Sequence, residues 1–344
     1  MILSAALVLL GARATTGYTV TDLGHFAVYY GQGLSINSHD DVAMMTTVPI
    51  YGPNPQDVDM DIDTYVWSNG VTTHVENPAS PGDRVCPTFL KDDGSLQGAI
   101  MGADGAPTSM FTWSKTDGFA IQPGAGQPAM LARLTDRETY LLEAGVDSTH
   151  TQLRVQHDSN VLSQTEVGEF FQPMAINQNG VIVGDDSPDG GDFHAVRIDP
   201  GQGAVPLAMP SNPLSRQATS TGYDINDAGY VAGSAWLGSY PSAHIPEIKM
   251  GAIWAPDGTL TSVSDPNGLF FFKINNHNQA VGWKGMHRAS CAVVYDSVNG
   301  LRDLNTLVPA GTPNLISASA INDKGSIVCV SADNDVFLLK PIGD

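Results

Sequence analysis

Two segments of the chain carry acidic residues at spacings that suit metal coordination. The segment "QDVDMDIDTYVW" has four aspartates at alternate positions: Asp57, Asp59, Asp61 and Asp63. In an extended chain their carboxylates lie on one side, about 7 Å apart. The segment "DDSPDGGD" contains a second set: Asp185, Asp186, Asp189 and Asp192. Because Ca²⁺ prefers oxygen ligands, we predict a Ca²⁺ site at either segment, with a solvated acidic surface as the alternative.

The first segment does not meet the requirements of an EF-hand loop. That loop needs Gly at its sixth position and Glu at its twelfth. Counted from Asp57, these positions hold Ile62 and Ser68. Any Ca²⁺ bound here is therefore shared between the strand and a neighbouring loop.

A short basic stretch stands out in a chain whose formal net charge is −20. Lys284 lies close in sequence to His287 and Arg288, and such side chains can hold a carboxylate or a sugar acid. Together with loop residues elsewhere, this stretch gives the predicted ligand-binding set: His287, Arg288, Lys284, His244, Tyr240, Trp236 and Arg216. The alternative is scattered surface charge.

The sequence names no catalytic residue. It contains no Gly-x-Ser-x-Gly, His-Glu-x-x-His or Cys-x-x-Cys pattern. Two enzymatic alternatives stay open at this point. One is a polysaccharide lyase that uses a histidine with a tyrosine or an arginine, and the other is a glycoside hydrolase that uses a pair of carboxylates.

Composition restricts the fold and the partners. The 344 residues include 36 Gly and 22 Pro, and short apolar runs separated by turn residues are typical of β-structure. The net charge of −20 argues against nucleic acid as a partner, because nucleic-acid binding needs a basic face. No stretch reaches the roughly 18 apolar residues of a membrane span. Of the three cysteines, Cys86, Cys291 and Cys329, at least one stays unpaired.

An internal repeat organises the chain and must position the candidate residues. Its pattern is Ile-Asn, two residues, Gly and then an alternating Val/Gly strand, as in "AINQNGVIVG", "DINDAGYVAG", "KINNHNQAVG" and "AINDKGSIVC". Weaker copies are "SINSHDDVAM", "FLKDDGSLQG" and "RLTDRETYLL". The Asn place falls at residues 37, 91, 135, 177, 226, 275 and 322. Periods of about 40 to 50 residues are those of propeller blades.

The repeat predicts a four-stranded unit and a closed ring. Asn-x-x-Gly between two short apolar runs is a hairpin turn, in which Asn caps the turn and Gly takes the positive φ. A third and a fourth strand follow in each unit. The last unit, "DVFLLKP", lacks a fourth strand, and "YTVTDLG" near the start supplies it. We therefore predict an all-β fold with a single seven-bladed β-propeller of four-stranded antiparallel blades, closed by pairing of the N- and C-terminal strands.

The pattern "DLG … SIN … HAV" resembles the HAF-repeat proteins, which are bacterial exported propellers. It is carried by "YTVTDLG", by the Ile-Asn-x-x-Gly segments and by "GDFHAVRID" in the fourth unit. The resemblance implies a secreted propeller and no agreed chemistry. Function then depends on sites rather than on the fold.

The N-terminal residues predict export. "MILSAALVLLGARATT" combines an apolar run with the small-residue pattern of a signal peptidase site, so we predict a signal peptide at 1–14 and the propeller at 15–344, with a secreted, periplasmic or extracellular location. We expect a binding module for carbohydrate or peptide that uses the variable loops of one face. A structural cell-surface protein is a further alternative.

Overall fold

The short apolar runs form strands throughout the part of the chain that the structure describes. In the computed structural model, the described residues are 17–28, 33–51, 58–76, 84–102, 107–123, 130–134, 139–145, 150–157, 160–168, 170–187, 190–210, 217–238, 248–285 and 290–343. The predicted signal peptide at 1–14 lies outside them. One 3-10 turn, Leu304–Thr306, interrupts the strands near the C-terminus.

The strands have the following bounds. The first half of the chain contains β1 Tyr18–His25, β2 Leu34–Ile36, β3 Val42–Tyr51, β4 Val58–Ser68, β5 Val71–Val75, β6 Arg84–Leu90, β7 Leu96–Met101, β8 Pro107–Ser114, β9 Gly118–Pro123, β10 Met130–Leu134, β11 Thr139–Gly145, β12 His150–His157 and β13 Asn160–Gly168. The second half contains β14 Gln172–Ile176, β15 Ile182–Asp186, β16 His194–Ile198, β17 Val205–Pro206, β18 Gln217–Ile225, β19 Val231–Gly238, β20 Ile248–Trp254, β21 Leu260–Ser264, β22 Leu269–Ile274, β23 Ala280–Lys284, β24 Cys291–Asp296, β25 Gly300–Asp303, β26 Leu315–Ile321, β27 Ile327–Ser331 and β28 Asp335–Pro341.

Consecutive strands pair into four-stranded antiparallel sheets, as the repeat predicts. Blades 1 to 6 are β2–β5, β6–β9, β10–β13, β14–β17, β18–β21 and β22–β25, and blade 7 is β26, β27, β28 and β1. The first strand of a blade packs against the second strand of the preceding blade, as β18 does on β15 and β22 on β19. The all-β propeller with four-stranded antiparallel blades is therefore confirmed.

Blade 7 is built from both ends of the chain. β1 pairs antiparallel with β28, from Tyr18 opposite Pro341 to His25 opposite Asp335. Tyr18 is 1% exposed and packs in the core between blades 6 and 7. A closed ring leaves no sheet edge at the junction of the two termini.

The hairpin turn of the repeat has one geometry in six blades. The residue in the Asn place donates its N–H to the carbonyl four residues later, and its own carbonyl accepts from the N–H three residues later. The fourth turn residue takes a positive φ, which Gly, Asn and Asp tolerate. In the described turns that residue is Asp40, Gly94, Gly180, Gly229, Asn278 or Gly325.

These turns correct the prediction that all seven units share the repeat. Within the described residues six blades, not seven, have the repeated turn, while the link between β10 and β11 in blade 3 lies outside them. Thr135 replaces Asn at that place in the sequence. Blade 3 is nevertheless a four-stranded sheet, and blade 2 also departs from the pattern, because Lys91 takes the Asn place in its turn.

A β-bulge lies three residues before the Asn place and explains a glycine of the repeat. The bulged residues on the first strands are Thr88, Ala132, Met174, Tyr223, Phe272 and Ser319. A Cβ on Gly184, Gly233 or Gly282 would collide with the carbonyl oxygen of Gln172, Thr221 or Phe270 on the bulged strand. The Val-x-Gly glycine is therefore required by close approach of two backbones.

The core lies between neighbouring blades. Trp254 is fully buried and Trp113 is 7% exposed, and both pack in inter-blade clusters. All three cysteines are free, and burial raises the pKa of the Cys329 thiol far above its usual range. None of the helical turns in the described residues has the length and apolarity of a membrane span.

Candidate ligand-binding site

Within the described residues, the asparagines of the repeat form a series of hydrogen bonds, called the asparagine ring below, that joins blades 4, 5, 6, 7, 1 and 2 in turn. Each Asn side chain caps its own turn through Oδ1 and donates from Nδ2 to the backbone carbonyl of the next blade. The described donors and acceptors are Asn37 to Lys91, Asn177 to Asn226, Asn226 to Asn275, Asn275 to Asn322 and Asn322 to Asn37, all at 2.9–3.0 Å. The last of these bonds joins blade 7 to blade 1. The side of the disc that carries these turns is called the asparagine face below.

A second layer of bonds covers this ring. In four of these turns the residue after the Asn donates its N–H to the side chain of the corresponding residue in the next blade, as Gln178 does to Asp227 at 3.1 Å and Asn276 does to Asp323 at 2.8 Å. Asn276 Nδ2 also donates to both Asp227 and Asp323 at 3.0 Å. The carboxylates on this face are therefore engaged in joining blades.

A cavity of about 210 Å³ lies inside the ring, lined by residues at the first-strand ends of six blades. Its single lysine is paired with an aspartate of the lining, since Lys273 Nζ lies 3.9 Å from Asp224 Oδ1. Asp224 Oδ2 in turn accepts from the N–H of Ile274 at 3.0 Å. The cavity is polar, but its groups already have partners within the wall.

Four aromatic rings meet on the inner wall of blades 5 and 6. Phe270 stacks on Trp283 with centroids 4.5 Å apart, and Phe272 lies 6.4 Å from each of these rings. Tyr223 of blade 5 contacts Phe272 of blade 6 at 5.2 Å. These residues, Tyr223, Phe270, Phe272 and Trp283, are called the aromatic cluster below. All four are only partly buried.

Local backbone geometry places these rings. Tyr223 and Phe272 are the bulged residues of β18 and β22, and a bulge re-aims a side chain out of the strand alternation. Phe270 and Trp283 lie directly opposite each other in the β22–β23 register. Phe271, between Phe270 and Phe272 in the sequence, is fully buried and faces the core.

The aromatic cluster extends toward the face opposite the asparagine turns. β22 runs from Leu269 to Ile274 into its asparagine turn, so Phe270 lies near the far end of the strand. Trp283 likewise lies near the far end of β23, beside the segment 286–289. This opposite side of the disc, where second strands connect to third strands, is called the loop face.

The predicted basic stretch is neutralised where the structure describes it. Lys284 Nζ lies 3.7 Å from Asp303 Oδ2 and 4.0 Å from Asp265 Oδ2. Burial, together with the charge of Asp303, raises the pKa of the adjacent Cys291 thiol. The rest of the predicted set lies outside the described residues, apart from Trp236: His287, Arg288, His244, Tyr240 and Arg216. Trp236, on β19, is partly buried and its Nε1 lacks a hydrogen-bond partner among the described groups.

The first predicted Ca²⁺ segment lies in a paired strand. Asp59, Asp61 and Asp63 belong to β4, which pairs with β3 from Val58 to Trp67, and Asp57 lies outside the described residues. Asp63 Oδ1 lies 2.9 Å from His74 Nε2 across the β4–β5 pair, so this carboxylate already has a partner.

The second predicted segment begins inside the sheet. β15 extends through Asp186, and both Asp185 and Asp186 are more than nine-tenths buried. Asp185 Oδ2 accepts from Thr221 Oγ1 of blade 5 at 2.8 Å, while burial raises the pKa of the Asp185 carboxyl. Asp192 is partly buried, and Asp189 lies outside the described residues. In the described part of the chain no group of three or more His, Cys, Asp or Glu side chains is placed to hold a metal ion.

Sequence comparison gives no family. No protein-family model matches the chain, and no curated protein matches it. The resemblance to HAF-repeat proteins therefore has no support beyond the motifs that suggested it.

Structural comparison shows the fold. The chain is similar to virginiamycin B lyase from Staphylococcus aureus at 10% identity, with a TM-score of 0.53 over 94% of this chain and 100% of that one. It is similar to the β-propeller domain of the Trilobed protease from Pyrococcus furiosus at 10% identity, with a TM-score of 0.56 over 95% and 98%. It also matches an acylaminoacyl peptidase from Pyrococcus horikoshii at 12% identity and a TM-score of 0.57, spanning 96% of this chain and 53% of the peptidase. The Trilobed protease domain has an open velcro topology, whereas β1 and β28 pair here. At these identities the likeness establishes a β-propeller and nothing about its ligand.

Proposed function

We propose that this propeller is a binding module for neutral carbohydrate, and that the sugar stacks on the aromatic cluster of blades 5 and 6. The observation that carries the proposal is the continuous contact of four partly exposed rings from two blades. Aromatic rings that are not fully buried in the core present a flat apolar surface to a ligand. Tyr and Trp also carry a polar O–H or N–H at the edge of the ring.

The fold itself does not require aromatic residues at these places. The corresponding bulged positions of the other blades hold Thr88, Ala132, Met174 and Ser319. Only blades 5 and 6 have aromatic rings there, and these two are adjacent in the ring. A feature confined to two neighbouring units of a repeat is typical of a site built on a scaffold.

Charge favours a neutral ligand over an acidic one. The chain has a net charge of −20, and Lys284, the described cation beside Trp283 in the sequence, faces two carboxylates. Among the described residues, an acidic sugar would meet repulsion without a free counter-charge beside Trp283. A neutral sugar presents an apolar ring face to the aromatic cluster and hydroxyls to the polar groups around it.

Isothermal titration against a panel of neutral oligosaccharides, acidic oligosaccharides and peptides tests this proposal. We expect a neutral oligosaccharide to bind, and Phe272→Ala to weaken it about tenfold, which corresponds to about 1.4 kcal/mol of lost stacking. Phe119→Ala is the matched control, because Phe119 is a partly buried ring on Phe111 in blade 2, with centroids 5.1 Å apart. The control should bind as the wild type does.

Three results would contradict the proposal in different ways. Binding of peptides alone would overturn the ligand class, and equal losses in Phe272→Ala and Phe119→Ala would overturn the site. Failure of every ligand to bind would favour a structural protein. The titrated samples also test for catalysis. Release of reducing ends or of unsaturated products would show that the chain is an enzyme instead.

A further inference from the structure

A second group of aromatic rings lies where the chain crosses from blade 7 into blade 1. Phe26, directly after β1, contacts Tyr65 of β4 with ring centroids 5.3 Å apart, and Tyr65 contacts the ring of His74 on β5 at 4.9 Å. His74 Nε2 lies 2.9 Å from Asp63 Oδ1. These residues, Phe26, Tyr65, His74 and Asp63, are called the seam cluster below. A continuous series of three contacts therefore joins side chains from both sides of the crossing.

Strand pairing fixes the position of the seam cluster. Tyr65 and His74 lie directly opposite each other in the β4–β5 register. Asp63 precedes Tyr65 by two residues, so its side chain lies on the same face of β4. Phe26 donates its N–H to Asn334 O at 3.0 Å, which ties it to the turn before β28. The rings are therefore held by paired backbone.

The fold does not require an exposed ring in the register of Tyr65. The corresponding third-strand residues of blades 2, 4, 5, 6 and 7 are at most 3% exposed: Phe111, Val196, Ala252, Val293 and Phe337. Of these six residues only Tyr65 is partly exposed. The place of His74 in the outer strands of the same five blades is taken by Ile121, Pro206, Ser262, Asp303 and Asp22. Both features are particular to blade 1, as in a site built on a repeated scaffold.

Polar groups border the rings of the seam cluster. The side chains of His74 and Asp63 are 45% and 46% exposed. A carboxylate offers about four acceptor positions, so the contact with His74 leaves Asp63 able to accept from further donors. A second pair follows β1, where His25 Nδ1, next to Phe26 in the chain, lies 3.1 Å from Asp335 Oδ1. Flat rings with acceptors and donors at their edges match the apolar face and the hydroxyls of a sugar.

We propose that the seam cluster is a second binding site for neutral saccharide, in which one sugar unit stacks on Tyr65 and its hydroxyls bond to Asp63 and His74. An acidic sugar would meet the carboxylates of Asp63 and Asp335 in a chain of net charge −20. The inference rests on carbohydrate as the proposed ligand class, but it does not depend on the aromatic cluster of blades 5 and 6. The two sites share no blade, so one chain binds two short saccharides.

Isothermal titration with the neutral trisaccharides maltotriose, cellotriose, xylotriose and chitotriose tests the second site. We expect two equivalents of at least one trisaccharide per wild-type chain. Tyr65→Ala should lose one equivalent and Phe272→Ala the other, because each variant removes the ring on which one sugar stacks. His74→Ala should weaken binding at the seam cluster about tenfold. The control variant Phe119→Ala should keep both equivalents.

The inference is overturned if the wild type binds a single equivalent that Tyr65→Ala and His74→Ala both retain, and the proposed function then stands. A single equivalent that Tyr65→Ala loses and Phe272→Ala retains supports the seam cluster and overturns only the aromatic cluster as the proposed site. Should Tyr65→Ala fail to fold, His74→Ala gives the same test from an exposed position. If no trisaccharide binds, the inference is overturned, whereas the proposed function fails only if the longer neutral oligosaccharides fail to bind as well.

Discussion

The two faces of the disc differ in how completely their polar groups are used. On the asparagine face, Asn226 and Asn275 each cap their own turn and also donate to the next blade. On the loop face, Asp186 and Ser187 have buried oxygens without partners among the described groups, and the aromatic cluster stays partly exposed. The polar groups of the asparagine face join the blades, whereas groups of the loop face are still available to a ligand.

The charges of the two faces show the same difference. Burial alone would raise the pKa of Asp40, on the asparagine face, but hydrogen bonds from Lys340, Asn322 and Ser326 and the charge of Lys340 bring it below its usual range. Lys340 Nζ lies 2.8 Å from Asp40 Oδ2 across the junction of blades 7 and 1. Asp185 has no such partner, and burial raises its pKa. Asp40 is thus compensated by a cation, whereas the buried carboxyl of Asp185 is not.

The largest effect is expected from breaking the asparagine ring. Asn275→Ala removes donations to Asn322 O and Gln279 Oε1, and it removes the acceptor for His277 N–H and Gln279 N–H. We expect a loss of about 4 kcal/mol in the free energy of unfolding, because the buried partners are left unpaired.

Chemical denaturation measures this loss, and Asn267→Ala is its control. Asn267 is exposed and bonds only within its own turn, to Asp265, so its replacement should cost less than about 0.5 kcal/mol. Similar losses in the two variants would show that the ring contributes no more than an ordinary turn.

Much of the fold could be predicted because the repeat is local. The hairpin turns, the four-stranded unit and the pairing of "YTVTDLG" with the last unit follow from residue types a few positions apart. The bonds between blades could not be predicted in the same way, because Asn37 and Lys91 meet only after two sheets have packed. The Asn of the repeat therefore has two roles, one in its own turn and one in the bond to the next blade. The sequence indicated only the first.

The candidate site was predictable only in part. None of the four aromatic residues belongs to the predicted ligand-binding set, and Tyr223 and Trp283 join Phe270 and Phe272 only through a bulge and a cross-strand pair. A signal was present, since Tyr223 and Phe272 both stand three residues before the repeat's Asn. Asp185 and Asp186 suggested a solvated loop, whereas β15 carries them into the sheet. Patterns of charge do not reveal where a strand ends.

A smaller effect is expected from the ion pair of Asp40 and Lys340, which joins blades 7 and 1. A carboxylate whose folded pKa is lowered stabilises the fold above its unfolded pKa and loses that contribution as the pH falls through the folded value. Protonation of Asp40 should therefore lower the free energy of unfolding as the pH falls below about 4. Unfolding measured between pH 2 and 7 should show a shallower acid loss in Asp40→Asn and in Lys340→Gln. An unchanged profile in both variants would mean that this ion pair does not help to close the ring.

The most direct test of the account is the tryptophan fluorescence of the loop face during an oligosaccharide titration. Trp283 stacks on Phe270 in the aromatic cluster, whereas Trp113 is buried between blades 1 and 2. We predict that the neutral oligosaccharide that binds will change the fluorescence of the wild type and of Trp113→Phe, and that Trp283→Phe will lose the change and bind more weakly. A fluorescence change and an affinity that both persist in Trp283→Phe would contradict the claim that the ligand rests on this cluster.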